Sequence, residues 1–441
     1  MHTLLKTTCE IPLQKENTLR FTENVNPVLS NKCRRRLRYM HMQSFDWDQG
    51  GLLSPIKFID RDSVEYSLMA AADGKKNEEK MAKLTLDKAM ALIDPIWGGV
   101  YQYSTLSKWN APHCRKTMAT QAGHLRLYSL AYAHMKSNDY LNVTSSIQAY
   151  IKNFMTSENG AFYTSQSGNI GGMSPIKYFS LKKTQREKIG FPEIDKRVLT
   201  RENGWIIEAL ATHAEYCSDK KSLSMAINAA DWINKKYRTA DGGYLTNMAT
   251  DKPLHLSDTL AMARAMLQLY RNTFEEKYLK YSCESLEFIN QNFRHNFYGF
   301  YNKITYENDN LQPRQIDENI SLTRFANLLT FYSDKKRFNN ISKHGLRYLS
   351  IPEIATARIE EAGVLIIDRE MQTPPLTINI NGGINNRLVI EFINIAHKQE
   401  GWYKLIRLNE SENVSASIEI DGFKSKSVVT PKALGELLLT H

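Results

Sequence analysis

Cysteine is scarce, with five residues in 441: Cys9, Cys33, Cys114, Cys217 and Cys283, odd in number and widely spaced. No Cys-x-x-Cys occurs, which excludes a zinc knuckle or a thioredoxin-type redox pair. Reduced, mostly buried thiols are expected. No apolar run reaches the roughly 18 residues that a membrane span needs. Residues 1–10 lack the long apolar segment of a secretory signal, so a cytoplasmic location without membrane association is expected. No metal-ligand spacing and no glycine-rich phosphate loop after a strand are present. Asn381-Gly382-Gly383 reads as a turn, and the surroundings of Ser54 form no nucleophile elbow. Neither a metal nor a cofactor is expected. Acidic residues are the minority, 47 against 57 Lys and Arg, for a net charge of +10. The basic residues are scattered except for Arg34, Arg35, Arg36 and Arg38, which read as a solvated N-terminal arm and a candidate contact for a protein partner. No zinc-finger, basic-zipper or RNA-binding signature accompanies the charge, so nucleic acid is not the expected partner.

What the chain has is a repeat. Residues 80–101, 140–163, 221–245 and 277–301 each read as an amphipathic helix that runs into a glycine-plus-aromatic corner. Between them lie helices apolar nearly all round, at residues 121–135, 204–216, 259–270 and 321–332. A helix of that kind is buried on more than one side. Buried and half-exposed helices in alternation describe two concentric rings. The expected fold is mainly α, an (α/α)6 barrel over residues 46–365, preceded by a basic extension, residues 1–45. From residue 366 to 441 the pattern changes to short strands (LTINI, YKLIRL, SASIEI) with helices near 388–397 and 431–439, a small α/β appendage.

The densest chemistry lies in WGGVYQYSTLSKWNAPH, residues 97–113. Trp97, Tyr101, Tyr103 and Trp109 offer aromatic faces for a sugar or another small polar ligand. His113 is the candidate acid or base, against the alternative of a histidine bonded to a neighbouring loop. Carboxylates stand before the buried helices of other repeats: Asp195, Asp258, Asp317 and Glu318. As N-cap or first-turn charges they would serve the helix dipole. Facing one cavity, Asp258 or Asp317 would share acid and base roles with His113. Arg197 and Arg201 flank the Asp195 segment and suit an anionic group or a carboxylate.

The segments FDWDQGGLLSPIKF, DPIWGGVYQYSTLSKWNAPHCRKTM, ENGAFYTSQ, VLTRENGWIIEALA and LHLSDTLAMARAMLQLYRNT resemble, in this order, the large thioredoxin-domain proteins of bacterial YyaL type, which include a spermatogenesis-associated protein of animals. The resemblance covers residues 45–440. It implies a six-hairpin barrel similar to those of glycosidases and N-acylglucosamine 2-epimerase-type isomerases, behind a thioredoxin-like domain that this chain, beginning near the barrel, is expected to lack. Tyr103, Ser104, Trp109, His113, Asn203, Gly204 and Asp258 keep the family pattern, which gives Asn203 a place in the pocket. Arg115, Thr120, Lys196, Arg197 and Glu202 depart from it, and the family's cysteines near residues 424–431 are missing. The expected function is binding of a carbohydrate-like small molecule, as a divergent sugar isomerase, epimerase or glycosidase. The alternative is a catalytically degenerate barrel that serves as a binding or scaffold protein.

Overall fold

The computed structural model describes residues 26–253, 255–304, 313–333, 335–401 and 403–439. Among them, twelve helices form a closed double ring: α1 Asn31–Gln43, α2 Arg61–Ala72, α3 Lys76–Ala89, α4 Met118–Met135, α5 Asn138–Tyr150, α6 Thr200–Cys217, α7 Lys220–Tyr237, α8 Leu256–Thr273, α9 Glu276–Asn292, α10 Ile316–Ser333, α11 Arg337–Leu349 and α12 Ala362–Gln372. The inner helices pack in the order α2–α4–α6–α8–α10–α12 and back to α2. Burial explains which helix goes where. The outer helix α7 buries one stripe, Ala226, Ala229, Ala230, Ile233 and Tyr237, whereas in the inner helix α6 almost every residue from Ile206 to Tyr216 is covered.

The inner helices α2 to α10 each pass to their outer partner by a tight turn. Lys136, Ser218 and Phe274 take left-handed backbone conformations at three equivalent turns, with φ of 52°, 58° and 57°. The returns from outer to inner helix are long, so all the long loops gather on one face, where the inner helices begin. Five two-residue strands lie there: β1 Tyr103–Ser104, β2 Pro112–His113, β3 Lys116–Thr117, β4 Ser165–Gln166 and β5 Ile194–Asp195.

The glycine-aromatic corners are small hairpins, bridged at Ile93–Val100, Thr156–Phe162, Arg238–Tyr244 and Arg294–Phe300. Each is latched to the next inner helix by the fourth residue of that helix. Asn203 accepts from the Phe162 N–H at 2.8 Å and donates to its carbonyl at 3.0 Å. Asn319 does the same at Phe300, at 2.8 and 3.0 Å, and Gln121 at Val100, at 2.7 and 2.8 Å. Thr259 accepts from the Tyr244 N–H at 3.1 Å. A buried amide side chain thus supplies the partners that a third strand would have given.

The axis of the ring is filled by charge. One residue from each inner helix joins an alternating circuit. Glu370 accepts from Arg324 at 2.8 Å, Arg324 also reaches Glu65 at 2.6 Å, and Glu65 accepts from Arg126 at 2.6 Å. Arg126 approaches Glu208 at 3.8 Å, and Glu208 accepts from Arg264 at 2.7 Å. Arg264 donates in turn to Ser321 of α10 at 2.5 Å.

Beyond α12 the sheet β7-β6-β8-β9 (β6 Leu376–Asn381, β7 Lys404–Asn409, β8 Ser415–Ile420, β9 Phe423–Lys424) carries α13, Arg387–Lys398, and α14, Pro431–Leu439. β6 and β7 are parallel, as a βαβ unit requires, and β8 is antiparallel to β6. This unit sits at the far end of the inner helices: Tyr403 donates to the Glu370 carbonyl at 2.6 Å, and Lys404 lies 3.3 Å from Glu215 of α6.

The segment expected to be a solvated arm is in part a helix of the ring. Residues 1–25 lie outside the described residues, but α1 buries Cys33, Leu37 and His41 and packs on α12 as its outer partner. Arg34 pairs with Asp368 at 2.6 Å, and His41 sits between Glu78 and Glu360. The charge of the segment hid a buried stripe of only three residues.

Candidate functional site

The third residue of three successive inner helices is a carboxylate, next to the latch residue: Glu202 on α6, Asp258 on α8 and Glu318 on α10. Burial opposes the charge of Arg201, and all three carboxylates favour it. Arg201 donates to Glu202 at 2.7 Å. Its backbone N–H donates to Asp258 Oδ1 at 3.1 Å, and the Thr246 hydroxyl donates to Asp258 Oδ2 at 2.6 Å. The half-buried Trp205 lies between two guanidinium groups, with Arg201 at 4.9 Å and Arg61 of α2 at 5.9 Å from its ring.

Burial shifts both outer carboxyls upward, because the charged form loses hydration. Glu318 is pushed up to about 8; Arg201 opposes the shift, while Asp317 and Asp258 add to it. Its Oε2 is buried and has no hydrogen-bond partner among the described residues. Asp258 is raised to about 6 by burial, against the Thr246 hydrogen bond and Arg201. Near neutral pH the first carries a proton and the second a charge. Two carboxyls held apart in this way are what acid–base chemistry needs.

A cavity of about 770 Å³ lies on the same face beside this cluster. It runs between residues 112–115, 165–176 and 193–196. The three-stranded sheet β3-β4-β5 forms its spine. A buried triad pins the wall to the ring: Asp94 accepts from Lys116 at 2.8 Å and from Arg186 at 2.9 Å.

His113 opens into this cavity rather than onto the carboxylates. It stacks on Tyr103 at 4.8 Å, and burial, with Arg115 after it, lowers its pKa. Asp195 lines the same cavity and is held ionised chiefly by its hydrogen bonds with Arg197, the shortest 2.6 Å. Asp258 and Asp317, expected opposite His113, do not line this cavity. Asp317 pairs with Arg358 at 2.6 Å. Tyr101 and Trp109 are buried, with Trp109 donating to the Gln49 carbonyl at 2.7 Å. Trp97 packs edge-on to Phe154 and Phe191. Asn203 is a latch. Among the described cysteines, Cys33, Cys114 and Cys283 are buried and unpaired, and Cys217 is unpaired and half-buried. Glu202 and Trp205 carry a signal that sequence reading passes over. It is the recurrence of an acid before the latch in Glu202-Asn203, Asp258-Thr259 and Glu318-Asn319.

The architecture is the six-hairpin (α/α) barrel that sugar epimerases also build. The cellobiose 2-epimerase of Bacillus thermoamylovorans superposes with a TM-score of 0.56 at 12% identity, over 72% of this chain and 86% of the epimerase. A sugar epimerase from a ruminal bacterium does so with a TM-score of 0.55 at 13% identity, over 73% and 86%. At these identities the likeness is one of fold. The chain belongs to the family described as beta-L-arabinofuranosidase, GH127 catalytic domain, whose pattern matches residues 108–342. It is also 25% identical over 160 residues to spermatogenesis-associated protein 20 of Mus musculus, a match of 34% of this chain. The match spans about a fifth of that relative's length. No described helix is long and apolar enough to cross a membrane.

Proposed function

We propose that the chain processes a carbohydrate at the mouth of the ring, with Glu318 as the proton donor and ionised Asp258 as its partner. Arg201, Glu202 and Trp205 would bind the sugar. The reading rests on one observation: the buried Glu318 Oε2 has no hydrogen-bond partner among the described residues, on a helix next to the one that carries Asp258, and burial raises the first carboxyl to about 8 and the second to about 6. Family membership makes a glycosidase the first activity to test, on β-L-arabinofuranosides, and the fold admits a sugar epimerase or isomerase. The likeness to spermatogenesis-associated protein 20 fits a barrel shared with YyaL-type proteins. The exposed Arg35 and Arg36 of α1 remain the candidate contact for a protein partner.

Release of p-nitrophenol from the aryl β-L-arabinofuranoside tests the reading. Glu318→Gln is expected to lower kcat by about 10²–10⁴-fold with the fold retained, the range of general acid catalysis. The rate is expected to rise as Asp258 ionises through about pH 6 and to fall as Glu318 loses its proton through about pH 8. No turnover and no thermal shift with any sugar of a broad panel would remove the proposal. A second reading, sugar binding without turnover, is favoured by the hydrogen bonds that both Asp258 oxygens already accept. It is recognised by a sugar that raises the melting temperature and yields no product.

A further inference from the structure

The connection from α5 to α6, residues 156–199, is far longer than its counterparts at residues 238–255 and 293–315. Long ordered loops in compact domains are uncommon and usually serve a ligand. This one builds the outer wall of the cavity that His113 opens into, and the Asp94–Arg186 pair anchors it to the first corner of the ring.

We infer that this groove is the extension subsite of the same active centre, holding the further sugars of an oligosaccharide whose terminal residue sits at Glu318; the inference rests on the proposed function above. The volume, about 770 Å³, falls within the roughly 300–1,000 Å³ of small-molecule sites and exceeds what one sugar fills. The lining matches the two faces of a pyranose or furanose ring. Ser167, Asn169, Ser174 and Arg115 present hydroxyl, amide and guanidinium groups to ring hydroxyls, and Pro112 and Ile194 present apolar surface to C–H faces. Arg115 is held on one side by a hydrogen bond to Ser165 at 3.2 Å. Continuity with the mouth comes through the polypeptide itself. Asp195 of the groove ends β5, and α6 begins at Thr200, its first turn carrying Arg201 and Glu202 of the mouth. A sugar chain leaving the mouth along this segment would enter the groove.

The test compares p-nitrophenyl β-L-arabinofuranoside with a β-L-arabinofuranosyl trisaccharide on the intact chain, by KM, or by calorimetric Kd where nothing is turned over. The trisaccharide is expected to bind about tenfold more tightly, equivalent to about 1.4 kcal/mol. In Arg115→Ala, and separately in Ser174→Trp, which fills the groove, the two constants are expected to converge. Equal constants in the unchanged chain, or a preference that survives both substitutions, would overturn the inference while leaving the mouth as the active centre. If neither compound binds, the inference and the proposed function fall together.

Discussion

At the scale of single residues, one position does two different jobs on adjacent side chains. The fourth residue of an inner helix closes a backbone corner, and the third points a carboxyl into the mouth. Asn319→Ala is expected to destabilise the chain by about 1–3 kcal/mol, because it leaves the buried N–H and carbonyl of Phe300 without the partners that Asn319 supplies. A urea titration reads the loss as a lower midpoint. The same neighbours explain which site residues were legible in the sequence. Asp258 and Glu318 were visible as acids near helix starts. Glu202 was obscured because the helix was read as beginning at Gly204, whereas it begins at Thr200. The first turn carries little apolar pattern and merges into the loop before it. His113 stood out by chemical type, and type alone does not say whether a strand residue opens into the groove or towards the carboxyl cluster.

At the scale of elements, the alternation of covered and half-covered helices was legible because burial imposes it on composition. Four inner helices and their corners were located to within a few residues, as were the C-terminal strands. The sixth hairpin was not, since its outer helix α1 buries only a narrow stripe beneath a run of arginines. The inner helices also depend on close approach. At Gly204 of α6 a Cβ would come within 2.6–2.8 Å of Ala261 and the Met262 nitrogen on α8. Gly204→Ala is expected to push α6 and α8 apart and to cost about 1–3 kcal/mol, the usual penalty of overpacking. Because Arg201 and Asp258 straddle that contact, the variant should also raise KM for any sugar substrate, a change that steady-state kinetics detects.

At the scale of the whole molecule, the ring is held across its axis by the Glu370–Arg324–Glu65–Arg126–Glu208–Arg264 circuit. Three acids and three guanidiniums balance in charge, which is the condition for burying them. Glu65→Gln would leave Arg126 and Arg324 facing each other across a neutral amide. The expected cost is about 3–5 kcal/mol, the range for a broken buried pair, measurable as a fall in the unfolding midpoint. The Glu65 carboxyl is held below its ordinary range by Arg126 and Arg324 despite burial, so its contribution is fully present above pH 4.5 and declines on acidification. The wall that completes the circle has a kinetic consequence. Arg34 and Asp368 meet across 334 positions of sequence, so the last seam of the ring must wait until residues near 368 have been synthesised. Until then α1 and α2 lack their final neighbour, α12, and a nascent chain would expose an apolar flank to chaperones or to other copies of itself.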